Sequence, residues 1–217
     1  ASPQATTPVP AMLPRVPSPD GAYYIECSPK ETKLIREADA KLISEVPVIL
    51  GFCSDDIAWA PDSLRAATIA GEELFLWFVN GEQASKVDIN ATYYMAWSPD
   101  GQSLALLEEV PSTYELQAAV VSADREPRRI GEPFSDFTGQ RLEWLSDSIF
   151  TAQGGYSMYC GITRYFDVSG EREYPPWIPC WDVGSPASYS PDLHWRATDT
   201  STRVWEGEPY ASADHTE

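Results

Sequence analysis

Basic residues are scarce in this chain. Fifteen Lys and Arg stand against 33 Asp and Glu in 217 residues, a net charge of −18. Such a balance repels phosphate backbones and anionic lipid surfaces, so nucleic acid is not the expected partner. Histidine is scarcer still: His194 lies two residues after a turn and His215 near the end of the chain, and neither is placed to serve a Ser or Cys nucleophile. The four Cys contain no C-x-x-C pair, which argues against zinc and thiol-redox chemistry; no metal and no other cofactor is expected. Long apolar runs are missing. The longest, VPVILGF at 46–52, is strand-sized, far short of the roughly 20 residues of a spanning helix, so no transmembrane segment is expected. No G-x-S-x-G, P-loop or H-E-x-x-H word occurs, and Gly154-Gly155 runs into Tyr-Ser-Met-Tyr, as a loop does, and not into a phosphate-binding helix.

Aromatic side chains are plentiful. Eight Trp, 11 Tyr and 7 Phe within a 43% hydrophobic composition indicate a folded globular protein. The opening ASPQATTPVPAMLP lacks an initiator Met, as a chain trimmed by a signal peptidase does, although a chain cut at any other boundary looks the same. With an even set of Cys this favours two disulfides in an exported protein, and the Pro/Thr-rich residues 1–11 read as an extended tether. Asn90-Ala91-Thr92 is a glycosylation sequon, of consequence only in a eukaryotic secretory setting.

One word recurs. Asp20, Asp62, Asp100, Asp147 and Asp192 each sit in a turn-like stretch between apolar segments, at spacings of 42, 38, 47 and 45 residues, which makes five copies of one unit. In Ser98-Pro99-Asp100-Gly101, Ser suits the first turn position, Pro presets the second and Gly suits the fourth, so the word is a tight turn between antiparallel strands. The flanks YYMAW and QSLALLEE are strand-length, YELQAAVVSA follows as a third strand, and a fourth lies near EPRRIG; each unit reads as a four-stranded meander. Residues 31–40, ETKLIREADA, have helical propensity, but they occupy a third-strand slot and are expected to be strand.

The Trp-Ser-Pro-Asp-Gly turn followed by a strand, and then by a strand such as AAVVSADREPRRI, resembles the TolB-type propeller repeat. The likeness runs along the whole chain in five copies, with Pro17 in the Trp slot of the first. It implies an all-β fold, a β-propeller of five four-stranded blades over residues 12–54, 55–92, 93–139, 140–185 and 186–217, with the strand that ends at Trp59, Trp97, Trp144 or Tyr189 innermost. It implies no catalytic residue. Trp59, Trp97 and Trp144 recur at one slot and are expected to pack between blades. The turn residues Asp62, Asp100, Asp147 and Asp192 are expected to be structural, spread round the rim. The last unit is short: either the tail is its outer strand, or the N-terminal TTPVPA latches the ring, or the array is open and needs a partner.

With the inner strands running down, the tight turns lie on the bottom face and the other connections on top. The top connections carry Phe52, Phe134 and Phe137, Trp177 and Trp181, and Tyr114, Tyr156 and Tyr159. Aromatic residues gathered on loops suit recognition, and the plain alternative is that these loops fold down to plug the channel. Asp55 and Asp56 enter an inner strand near the axis, with Arg141 and Glu143 in the matching strand of the fourth unit. The expected function is therefore a non-catalytic exported propeller that binds protein through its top face, as an interaction module or a subunit of an envelope or extracellular assembly. Glycoside cleavage by carboxylates in the central funnel is the enzymatic alternative, and carbohydrate binding between blades a third. Cys53 and Cys180 each lie 33 residues after the turn Asp of their own unit. Cys27 and Cys160 emerge on the same face, so this topology favours the pairs Cys27–Cys53 and Cys160–Cys180.

Overall fold

A computed structural model describes residues 13–28, 30–47, 57–70, 73–113, 115–122, 127–135, 138–155, 161–169, 187–189, 195–198 and 201–206; the last three segments, with 92, 93, 138–140, 155 and 161, are described by backbone alone. Among these residues there is no helix, and seventeen strands form four antiparallel sheets. The first sheet holds β1 (Arg15–Pro17), β2 (Tyr23–Cys27), β3 (Thr32–Arg36) and β4 (Lys41–Val46) in sequence order. The helix-prone residues 31–40 thus become β3 and a turn. Arg36 and Asp39 are ion-paired across that turn at 2.6 Å, and Ala40 takes a left-handed φ of 53°.

The second sheet is seven strands wide: β5 (Ile57–Trp59), β6 (Arg65–Ala70), β7 (Glu73–Phe78), β8 (Ser85–Trp97), β9 (Ser103–Val110), β10 (Glu115–Ser122) and β11 (Arg128–Phe134). It is two meanders sharing β8. The first half of β8 pairs with β7, as in Leu74↔Val87, and the second half with β9, as in Trp97↔Leu104, with register breaks at Glu73/Leu74 and Ala91/Met95. The boundary expected at 92/93 therefore falls inside a strand. Residues 90–92 contain neither Gly nor Pro to turn the chain, so the extended backbone passes from one meander to the next. β12 (Thr138–Trp144), β13 (Ile149–Gly155) and β14 (Gly161–Asp167) form the third sheet, and β15 (Ala187–Tyr189), β16 (Trp195–Thr198) and β17 (Ser201–Glu206) the fourth.

Three apolar cores lie between successive meanders. Ile25, Cys27, Leu34 and Val46 meet Ala66, Phe75 and Trp77. Ile69, Leu74 and Leu76 meet Trp97, Leu104, Leu106, Ala119 and Val121. Ala105, Leu107, Ala118 and Val120 meet Phe150, Ala152, Ile162 and Phe166. Alternate residues of one strand therefore serve two different cores: Phe75 and Trp77 face back while Leu74 and Leu76 face forward. A strand covered on both sides reads as an unbroken apolar run, which is why LFLW, LALL and AAVV do not alternate. The one polar atom of Trp77, fully buried, is satisfied by donation from Nε1 to Thr68 Oγ1 at 3.0 Å.

Candidate functional site

The tight turns form one end of the meanders. Gly101 N donates to Ser98 O at 2.8 Å, Gly101 has φ +69°, Ser98 Oγ donates to Asp100 Oδ1 at 2.6 Å, and Gln102 N donates to the same oxygen at 2.9 Å. The first turn repeats this: Gly21 N donates to Ser18 O at 2.9 Å, Ser18 Oγ to Asp20 Oδ1 at 2.6 Å and Ala22 N to Asp20 Oδ1 at 2.9 Å. The Ser hydroxyl first, and then the backbone N–H of Ala22 or Gln102, holds Asp20 and Asp100 below the usual carboxylate range. Asp62 Oδ1 accepts from Leu64 N at 2.9 Å. These carboxylates are occupied locally, as an Asx turn requires.

Successive turns also touch. Asp20 N donates to Ser63 Oγ at 3.1 Å, and Asp100 N to Asp147 Oδ1 at 3.1 Å. Between the second and third turns Arg65 spans the gap, donating to Gly101 O at 2.8 Å and to Gln102 Oε1 at 3.0 Å. The Asp62 carboxylate lies 3.1 Å from where a Cβ on Gly101 would stand. Small Gly101 permits the approach; Arg65 neutralises it. The turn word pointed to each hairpin, but nothing in it signals Arg65, which stands at a position taken by Ser103 in the next unit.

Most of the remaining expected residues lie outside the described residues: Phe52, Asp55, Asp56, Phe137, Tyr156, Tyr159, Trp177 and Trp181, with Cys53, Cys160, Cys180 and Asp192. Tyr189 ends β15. Phe134, expected on a recognition loop, is a correction. It is 5% exposed, its ring centroid is 6.0 Å from that of Phe166, and the Arg164 guanidinium lies 4.5 Å from its own centroid. Its position at the end of β11 turns the ring into the core between the third and fourth meanders. Cys27 is 7% exposed and disulfide-bonded, with its partner outside the described residues. The sequon Asn90 lies within β8, its Nδ2 donating to Glu109 O at 3.1 Å.

Two strand carboxylates are paired. Glu108, 3% exposed, accepts from Arg129 through both oxygens, the second at 3.0 Å from Nη2. Glu108 in turn raises the Arg129 pKa. Glu143, from the candidate funnel set, is 3.4 Å from Arg141 two residues earlier on β12. Among the described residues no group of three or more His, Cys, Asp or Glu is arranged to hold a metal ion.

No family model matches the chain, and no curated protein matches it. Solved structures do. The chain is similar to Kuenenia stuttgartiensis hydrazine synthase, with a TM-score of 0.55 and 15% identity over 89% of this chain and 56% of that one. It is also similar to the C-terminal WD40 domain of Sif2, with a TM-score of 0.53 and 16% identity over 86% of this chain and 55% of that one. A TolB protein of Agrobacterium tumefaciens aligns with a TM-score of 0.48 and 14% identity over 89% of this chain and 79% of that one. With antiparallel sheets and no helix among the described residues, the chain has a propeller-type fold. It spans a little over half the length of the first two structures.

Proposed function

We propose that this chain is a non-catalytic propeller module of five four-stranded units, of the TolB type and exported, which binds a protein partner by the face opposite its tight turns. The observation that carries the reading is the closure of the turn end. Its carboxylates are spent on their own hairpins and on the neighbouring turns, so recognition falls to the connections at the other end. Phe52, Phe137, Tyr156, Tyr159, Trp177 and Trp181 belong in sequence to those connections, and rigid aromatic side chains supply contact area at small entropic cost. A net charge of −18 suits a partner with a basic surface. The disulfides of this reading are Cys27–Cys53 and Cys160–Cys180, each pinning an aromatic connection within its own unit.

The test is affinity capture from the native source followed by cross-linking and mass spectrometry. One partner should be recovered and cross-linked to the aromatic connections. Its capture should fail with Trp177→Ala/Trp181→Ala and persist with a substitution in the turns, such as Gln102→Ala. Loss of capture with the turn variant alone would place binding on the opposite face from the one proposed. Hydrolysis of a glycoside that is lost in Glu143→Gln would replace this reading with the enzymatic one.

A further inference from the structure

The chain holds two Asn, and the fold treats them differently. Asn90 lies inside β8, its Nδ2 donating to Glu109 O at 3.1 Å, and its neighbour Ala91 is 4% exposed. Asn80 stands exposed on the turn between β7 and β8, followed by Gly81 with φ +95°. Beyond the chain neighbours no heavy atom lies within 4 Å of where a Cβ on Gly81 would stand, so the Gly81 nitrogen is open to approach. Glu82 N donates to Asn80 Oδ1 at 3.0 Å, which closes an Asx turn and folds the carboxamide back along residue 81. The same bond points a donor at the oxygen on which negative charge develops when Cγ is attacked. Gly81 N itself meets no acceptor among the described residues, whereas Gly21 N and Gly101 N are tied to Ser18 O at 2.9 Å and Ser98 O at 2.8 Å.

We propose that Asn80 is a site of spontaneous modification, cyclising with the Gly81 nitrogen and reopening to aspartate and isoaspartate, and that this change loosens the seam between the first two meanders. The Gly81 nitrogen gives its proton to solvent hydroxide and bonds to Asn80 Cγ, the Cγ–Nδ2 bond breaks, and ammonia leaves. Water then adds to one carbonyl of the cyclic imide. Opening at Cγ gives aspartate; opening at the main-chain carbonyl gives isoaspartate, whose main chain runs through Cβ and Cγ and is one methylene longer. The turns Asp20-Gly21 and Asp100-Gly101 resist this cyclisation. Their carboxylates are held ionised by Ser18 and Ser98 and then by the backbone N–H of Ala22 and Gln102, and an anionic carboxylate is a poor electrophile. The consequence for the fold lies just past the turn, where Gln83 Nε2 donates to Glu45 O at 2.6 Å and Ala84 N to Ser44 Oγ at 2.9 Å. A longer main chain ahead of residues 83 and 84 displaces both donors, while their acceptors stay on β4.

Peptide mapping by mass spectrometry, on the native chain aged in mildly alkaline buffer, tests the chemistry. Asn80 should convert at least about tenfold faster than Asn90, which must first break its own hydrogen bond. Unfolding in urea should speed conversion of Asn90 but not of Asn80. Glu82→Pro removes the donor to Oδ1 and should slow conversion at Asn80 about tenfold or more. Circular dichroism checks that this variant folds, and the comparison with urea stands without it. Hydrogen exchange reads the seam: the Ala84 N–H should exchange about tenfold faster in the converted chain, the worth of one hydrogen bond. Asn80→Ser keeps a turn acceptor but has no carboxamide, so its seam should not change on ageing. An Asn80 that stays intact in the native chain and converts only in urea overturns the proposal, because the turn then protects the residue. A folded Glu82→Pro chain that converts at the original rate removes the role given to the donor. Unchanged exchange at Ala84 after conversion refutes the loosened seam.

Discussion

The indole N–H of Trp97 donates to the carbonyl of Ala58, 39 residues earlier, at 3.0 Å. Trp59 makes the same bond to Val16 at 3.2 Å and Trp144 to Ala96 at 2.8 Å. The acceptor is always the residue before the slot of the preceding unit, Pro17, Trp59 or Trp97 in turn. One side chain therefore fills the space between two meanders and, through its N–H, fixes their register, which a Phe could largely fill but not fix. Replacing Trp97, 8% exposed, by Ala should cost about 3–5 kcal/mol in urea unfolding. Phe should retain most of the packing and cost about 1–2 kcal/mol, largely the lost hydrogen bond.

Backbone strain gives a pair of opposite sign. Gly101 has φ +69° with the Asp62 carboxylate crowding any added Cβ, so Gly101→Ala should destabilise by about 1–2 kcal/mol. Ala40 carries φ 53° on an exposed turn, and Ala40→Gly should stabilise by about 0.5–1 kcal/mol. Midpoints of chemical unfolding for the two variants should move in opposite directions.

Acid sensitivity follows from the turn carboxylates. Hydrogen bonding from Arg36 pulls Asp39 from its ordinary 3.8 to about 2, and Asp20 and Asp100 are lowered by Ser18 and Ser98. A depressed folded-state pKa contributes stability that is present above the unfolded value and is lost as pH falls through the folded one. The thermal midpoint should therefore fall between pH 4 and pH 2. Asp39→Asn should flatten that slope, as should Asp100→Asn.

Glu108 and Arg129 differ in burial, and their variants should differ in cost. Arg129→Ala leaves a buried carboxylate without its counter-charge and should destabilise by about 1–3 kcal/mol. The Glu108→Gln/Arg129→Ala double variant should recover part of that loss. Additive effects in the double-mutant cycle would mean that the two groups act independently.

Peptide mapping without reduction should yield Cys27 joined to Cys53 and Cys160 joined to Cys180. Reduction should cost about 2–4 kcal/mol per bridge by loop closure. A linkage between units would overturn the pairing.

Much of the fold was legible because it is written in short windows. Ser-Pro-Asp-Gly dictates a hairpin through the φ preferences of Pro and Gly and the hydrogen bonds of Ser and Asp. Runs such as LALL and AAVV announce strands covered on both faces. The recurrence of the turn word overrode the helical propensity of residues 31–40, where β3 stands. The site was far less legible. Phe134 has the composition of a recognition residue, and only its place at the end of β11 turns it inward beside Phe166.

By itself, then, the sequence determined the repeated turn word, the antiparallel strands and their turns, and a net charge of −18. Tertiary structure decided which distant groups meet: Asp100 with Asp147, Arg65 with Gly101, Trp97 with Ala58, and two meanders fused through β8. Local preferences act within a few residues, because sterics and turn hydrogen bonds extend no further. Contacts between residues some 40 apart depend on the angle at which one sheet packs on the next, and that angle is set by the joint packing of side chains from both sheets.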